Sequence, residues 1–308
     1  MSEAVSTAGP AVASPKLGGL RGWWKDPWRR PRILAGVTWV YLAWSILPVA
    51  IAIGLSFNAG RSNTTFQTPG LRWWLHDPDG GALFQDPTLR RSIIQTYILS
   101  FTTMIVSVPL GVAFAIGIDR WRGRVSTSAN FLMLLTFVMP EIIIGISMLR
   151  VVQYVLSNVG VHLGTFAQVL GLVTYQISYP FIIVRARLLS IGKEHEEAGM
   201  DLGATPIEST RRILLPILYP AIFASFAIVF ADTVDDFVTV SYLQGGASSQ
   251  PLSVFVYTTA RASPTPAVNA AASFMLVTTT LVIALGYFAY KRLSRGQAAG
   301  DVASFSQL

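Results

Sequence analysis

The sequence predicts an all-α membrane protein with six transmembrane helices. Three observations carry that reading. Of 308 residues, 52% are hydrophobic and only 13% charged, whereas a soluble domain of this size carries about a quarter charged residues. The deficit is concentrated in long uncharged runs. The Lys and Arg residues collect at the ends of those runs, on one side more than the other.

Six apolar segments follow one another, at 33–57, 93–118, 131–149, 166–184, 217–240 and 268–290. Each is long enough to cross a hydrocarbon core of about 30 Å as a helix rising about 1.5 Å per residue. The first exceeds a signal-peptide core of about 7–15 residues and reads as an uncleaved span. The fourth and fifth segments together are expected to be broken by Pro180 and Pro220 and by acidic residues. Helix is still required there, because lipid satisfies no backbone hydrogen bond. No internal repeat is evident.

The segments divide the chain into a tail at 1–32, a six-span domain at 33–290 and a second tail at 291–308. The first tail ends in Trp23, Trp24, Trp28 and several basic residues, a mixture suited to the headgroup layer. With the N-terminus inside, 17 of the 23 Lys and Arg fall on the inner side and 6 on the outer. This bias predicts that both termini are cytoplasmic. It then places 58–92 as a long outer loop and 185–216 as the largest inner loop.

Composition also excludes function classes. The formal charge of +7 raises the question of nucleic acid, but basic residues flanking apolar runs read as topology signals, so no nucleic-acid partner is expected. There is no cysteine, and His76, His162 and His195 are far apart. Thiol catalysis and disulfides are excluded, and no metal cluster is expected. No Gly-x-x-x-x-Gly-Lys-Ser/Thr phosphate loop occurs; Gly192-Lys193 lacks the glycine loop and runs into Glu194.

The inner loop is the most specific feature. It reads Glu196-Glu197-Ala198-Gly199-Met200-Asp201-Leu202-Gly203-Ala204 and, eight residues on, Ile213-Leu214-Leu215-Pro216. Residues Glu194 to Leu202 favour helix, and Gly203 suits the left-handed position after a helix end. Thr205-Pro206 with Glu208 reads as an N-cap, an N1 proline and a first-turn acid of a second short helix. The stretch resembles the EAA loop of ABC importer permeases, whose pattern is Glu-Ala-Ala, three residues, Gly, and later Ile-x-Leu-Pro. Glu197, Ala198, Gly203, Ile213, Leu215 and Pro216 match. Gly199 departs from the usual alanine, and glycine inside a helix costs about 1 kcal/mol.

The resemblance implies a type I (MetI-like) importer permease of a bacterial inner membrane, multi-pass and without enzymatic activity. It implies an ATPase-docking knob containing Glu197, Ala198, Asp201, Gly203 and Ala204. The partners it implies are a cytoplasmic ABC ATPase dimer, a second homologous permease and an extracytoplasmic solute-binding protein, all assembled in lipid. ATP and Mg would be bound by the ATPase, leaving this chain without a cofactor.

From about Phe57 to Tyr290 the chain is similar to the spermidine/putrescine permeases of PotC type. The similar stretches are Phe84-Gln85-Asp86-Pro87, Met139-Pro140-Glu141 through Ser147, Asp235-Asp236-Phe237 through Ser241, and Ser263-Pro264-Thr265-Pro266 through Ala270. Related branches import ferric iron or sulfate. The acids agree with a cationic solute. Glu141 falls about ten residues into the third span, near mid-membrane, and Asp232, Asp235 and Asp236 are spaced to share one helix face. A carboxylate in lipid costs about 2.5–3.5 kcal/mol on the insertion scale, so the set calls for water, a counter-ion or a cation. Tyr175, Tyr179, Phe237 and Tyr242 offer aromatic faces to ammonium groups.

Other readings stand beside this one. Glu141 pairs with an arginine such as Arg150, or sits protonated; Asp232 to Asp236 line a wet outer vestibule. A different class, a cation- or proton-coupled secondary transporter, uses the same acids for coupling, but such proteins usually show internal repeats.

Overall fold

The computed structural model describes residues 32–62, 65–120, 123–262 and 265–305. The tryptophan-rich segment before Arg32 and the pair Ser263-Pro264 lie outside the described residues. The chain forms two units, divided after Ile51. The first contains most of α1 (Arg32–Ser56), whose Leu34, Trp39, Val40 and Trp44 are exposed. A helix that is apolar on every face suits lipid rather than a soluble core.

Among the described residues, the other α-helices lie in the second unit. These are α2 (Pro87–Arg120), α3 (Arg124–Val138), α4 (Glu141–Tyr154), α5 (Thr165–Gln176), α6 (Ser178–Ile191), α7 (Glu194–Asp201), α8 (Pro206–Asp235), α9 (Val238–Leu243), α10 (Leu252–Ala262) and α11 (Pro266–Phe305). Among the described residues, five helical runs are long and apolar enough to cross a membrane, and α3 with α4 makes a sixth if that bent pair is one span. The six-span helical fold expected from the sequence is therefore present, with four differences.

The third span is not one helix. α3 and α4 meet at an angle of 106°. Met139 and Pro140 are both extended, with ψ 134° and 129°. Proline clashes with a helical residue before it, so Met139 leaves the helix and the chain turns. Pro180, by contrast, sits in the first turn of α6, and Pro220 sits inside an unbroken α8.

The fifth span ends at Asp235 instead of Val240; a separate short helix, α9, begins at Val238, and α10 lies between the fifth and sixth apolar segments. The stretch after Pro206 is not a separate short helix. It runs on as α8, through a widened π-turn at Thr210–Leu214 just before Pro216. Proline lacks the N–H that would close a regular turn there. Finally, α11 continues past Tyr290 to Phe305, where a tail is expected.

α2, α6 and α8 form the centre of the unit. Val108 and Val112 from α2, Phe181, Val184 and Leu188 from α6, and Leu218 and Val229 from α8 are buried together. Small residues bring backbones close, as membrane helices require. A β-carbon on Gly111 of α2 would stand 2.8 Å from the Ile177 carbonyl oxygen, and one on Gly171 of α5 would stand 2.3 Å from Leu243 Cδ1 of α9.

A buried polar network seats α9 against this frame. Gln95 of α2 donates to Thr165 Oγ1 and Gln168 Oε1, both at 2.9 Å. Gln168 in turn donates to the Val240 and Ser249 carbonyls, both at 3.0 Å. Each buried polar atom named here has a partner, so the network fixes position without an unsatisfied group.

The 58–92 loop is folded. Buried Asn58 donates to the carbonyls of Ser62 and Thr65, and the Trp73 and Trp74 indoles donate to the carbonyls of Gly60 and Ser56. Arg72 Nε donates to Asp77 Oδ1 at 2.6 Å. Burial pushes the Asp77 carboxyl up, but the Arg72 hydrogen bond, the Gly81 N–H and the Arg72 charge together hold it below its ordinary value.

Candidate functional site

Two constellations stand out, one at the end of α8 and one at the inner loop. In the first, α8 presents Asp232 and Asp235 and then stops. Asp236 has ψ 123° and leaves the helix, so the three acids do not share one regular helix face as their spacing suggests. They are gathered nonetheless. Glu141, at the first turn of α4, stands within electrostatic reach of Asp236, Asp232 and Asp235. The bend at Pro140 therefore places Glu141 at a helix start, not in the middle of a continuous span.

The four acids are in different situations. Asp236 is 7% exposed. Its Oδ2 accepts from the Tyr175 hydroxyl at 2.5 Å, its Oδ1 accepts from the Val240 N–H at 3.1 Å, and its carbonyl accepts from Ser253 Oγ at 2.6 Å. One residue thus joins α5, α8, α9 and α10. Asp232 is half-buried and accepts from Gln176 Nε2 at 2.6 Å and from the Tyr179 hydroxyl at 3.3 Å. Glu141 and Asp235 are exposed. Arg150 does not reach Glu141; its guanidinium lies over the Tyr154 ring at 5.8 Å.

Among the described residues, no ion pair joins any of the four acids to a Lys or Arg. Asp235 opens on a cavity of about 830 Å³ bounded by α8, α10 and α11, with Phe237, Tyr257 and Arg261 in its wall. Phe237 and Tyr257 lie 4.2 Å apart, ring centroid to centroid, and Tyr179 meets Phe137 edge-on at 5.5 Å. Tyr175 is buried and its hydroxyl is committed to Asp236, so it serves as a support and not as an open aromatic face. Tyr242 packs beside Gly145 of α4. The arrangement can receive a positively charged group between carboxylates and rings.

In the second constellation, α7 ends at Asp201 and Gly203 takes φ +93°, a conformation that a β-carbon disfavours. Thr205 then caps α8. Its hydroxyl accepts from the Glu208 N–H, and Glu208 accepts from the Thr205 N–H, a full capping box. Leu202 is 91% exposed at the corner, and Glu197, Ala198 and Asp201 are exposed beside it. The opposite face of α7 is closed: Glu196 and Gly199 are buried.

Sequence reasoning missed several members of these sites. Gln176 and the Tyr175 hydroxyl hold Asp232 and Asp236, and a glutamine inside an apolar run is the signal that could have marked the first. Glu196, next to the motif glutamate, and Arg120, at the end of α2, form an ion pair.

Residues 80–298 match the family model described as "Binding-protein-dependent transport system inner membrane component". The putrescine transport system permease protein PotI of Escherichia coli (strain K12) is 28% identical over 278 residues, covering 89% of this chain and 93% of that protein. The spermidine/putrescine transport system permease protein PotC of Haemophilus influenzae is 26% identical over 246 residues, covering 80% and 91%. Among solved structures, a bacterial alginate ABC transporter with its alginate pentasaccharide-bound periplasmic protein superposes with a TM-score of 0.66 at 16% identity, over 85% of this chain and 94% of that one. The inward-facing MetNI methionine ABC transporter gives 0.52 at 20% identity, over 67% and 93%. These two establish the fold, and the family match extends over most of the chain. The protein therefore belongs to the binding-protein-dependent transport system inner membrane components, as a permease subunit of an ABC importer.

Proposed function

We propose that this permease carries polyamines, with putrescine and spermidine as the solutes to test first. The observation that carries the reading is the gathering of Glu141, Asp232, Asp235 and Asp236 beside Tyr179 and Phe237 without a pairing Lys or Arg among the described residues. A polyamine is a flexible chain of ammonium groups, so it matches several carboxylates with aromatic surface between them. The names of the Escherichia coli and Haemophilus influenzae relatives point to the same solutes. An anion such as sulfate would meet repulsion at this place.

In this reading the chain works in a bacterial inner membrane with a second, homologous permease, a cytoplasmic ATPase dimer and an extracytoplasmic solute-binding protein. Both termini and the 185–216 loop face the cytosol, where Lys and Arg are concentrated. The corner around Gly203, with Glu197, Ala198, Asp201 and Ala204, docks on the ATPase. ATP and Mg bind there and not on this chain, so this subunit performs no chemistry. ATP closes the ATPase dimer, the docked knobs move together, and the route opens outward to receive solute.

The test is uptake by the assembled system in proteoliposomes, with ATP inside and the solute-binding protein outside. ATP-dependent accumulation of labelled putrescine or spermidine is expected. A complex that hydrolyses ATP and moves another solute, but neither of these, would refute the substrate assignment.

A further inference from the structure

The inner end of α2 is bound to the inner loop through charge. Arg120 pairs with its neighbour Asp119 at 3.2 Å and with Glu196 of α7. Glu196 is 6% exposed, whereas Glu197 beside it is exposed. Two adjacent glutamates therefore point to different environments. The Glu196 carbonyl also accepts from Ser209 Oγ at 3.2 Å, in the first turn of α8. Three residues further along α7, Gly199 lies against Ile213. One face of α7 is held by α2 and α8, and the other is free to meet a partner.

The pair sits where a tie is useful. α2 packs along α5, α6, α8 and α10. Higher up α2, Leu99 is buried in one cluster with Tyr175 and Val240, the residues that hold Asp236. A displacement of α7 along α2 therefore has a packed route to the acidic site. A buried carboxylate that loses its paired cation is strongly unfavourable, so the pair resists separation while α7 moves.

We infer that the Arg120–Glu196 ion pair is the tie through which motion of the inner-loop knob reaches α2, making Glu196 and Arg120 positioning residues for coupling while Glu197 faces the ATPase. This rests on the reading of α7 as the ATPase-docking element. It assigns separate work to the two glutamates: one contacts the motor and the other passes the movement on.

The test measures uptake and ATP hydrolysis together in the reconstituted full complex. Glu196→Gln and Arg120→Gln should each lower solute taken up per ATP about ten-fold, within the range for changes along a coupling route, while hydrolysis stimulated by the solute-binding protein persists. Arg120→Lys keeps the charge and should keep most of the uptake. The double Gln variant should be no worse than either single one, because the two act as a unit. If Glu196→Gln does not assemble, the Arg120→Gln and double variants decide. Normal uptake per ATP in these variants, or uptake and hydrolysis falling in parallel, overturns the tie but leaves α7 as the docking element. A wild-type complex in which α7 cannot be cross-linked to the ATPase overturns both.

Discussion

A β-carbon on Gly199 of α7 would stand 2.3 Å from Cδ1 of Ile213 in α8. The glycine that departs from the family's alanine is therefore where Ile213 occupies the space of a methyl group. Two effects oppose each other in Gly199→Ala. Helix propensity favours alanine by about 1 kcal/mol, and crowding at a packed contact costs about 1–3 kcal/mol. The expected result is a neutral to lower melting temperature for Gly199→Ala alone. Adding Ile213→Val removes the offending methyl and should raise stability above that of the single variant. Thermal unfolding in detergent of the two singles and the double provides the check; additive effects would mean that the contact does not decide this position.

Asp236 joins four helices, so its partners should matter for stability before transport. Tyr175→Phe removes the 2.5 Å hydrogen bond and leaves a buried carboxylate with one donor fewer. A loss of about 1–3 kcal/mol follows. Asp236→Asn should cost a similar amount, and the double variant should show a coupling energy of about 0.5–3 kcal/mol. A double-mutant cycle on unfolding free energy would measure it, and zero coupling would contradict the geometry.

The exposed acids should behave differently. Glu141→Gln and Asp235→Asn disturb no hydrogen bond described here and should leave unfolding unchanged. If they meet an ammonium group, each should slow polyamine uptake about ten-fold, since a charged hydrogen bond contributes about 1.5–3 kcal/mol. Asp232→Asn should lower both uptake and stability, because Gln176 and Tyr179 hold its carboxylate. Uptake at wild-type rates in both Glu141→Gln and Asp235→Asn would remove these two from the solute route.

The capping box at the head of α8 makes a pH prediction. Glu208 is held below its ordinary value of 4.5, first by the Thr205 N–H, then by the Thr205 hydroxyl and the charge of Arg212. A carboxyl with a depressed folded value stabilises above its unfolded value, and that contribution is lost as pH falls through the folded one. The inner loop should therefore loosen at pH below 4.5. Hydrogen exchange at residues 205–209 would follow it, and Thr205→Val should flatten the pH dependence.

Orientation is testable because the chain has no cysteine. Leu202 is 91% exposed and Leu75 is 70% exposed. In intact cells, Leu75→Cys should react with a membrane-impermeant maleimide and Leu202→Cys should not. After the cells are opened and the ATPase is stripped away, Leu202→Cys should react as well. The opposite pattern would invert the topology.

Much of this protein is legible in its sequence because it is local chemistry. Length and apolarity require helices across lipid, and the skew of Lys and Arg predicts an orientation. The Gly203 corner and the Thr205-Pro206-x-Glu208 cap are also local, and both form as their residue types demand. What the tertiary structure decided depends on residues distant in sequence. Pro140 breaks a span and Pro220 does not, although both are prolines in apolar runs. Asp236 is held by Tyr175, 61 residues away, and Asp232 by Gln176, 56 residues away. The burial of Glu196 rather than Glu197 depends on where α2 ends. A span that is apolar on every side carries no periodic mark of which face meets protein and which meets lipid. Only the packed helices separate the acids held by hydrogen bonds, Asp232 and Asp236, from the acids left exposed, Glu141 and Asp235.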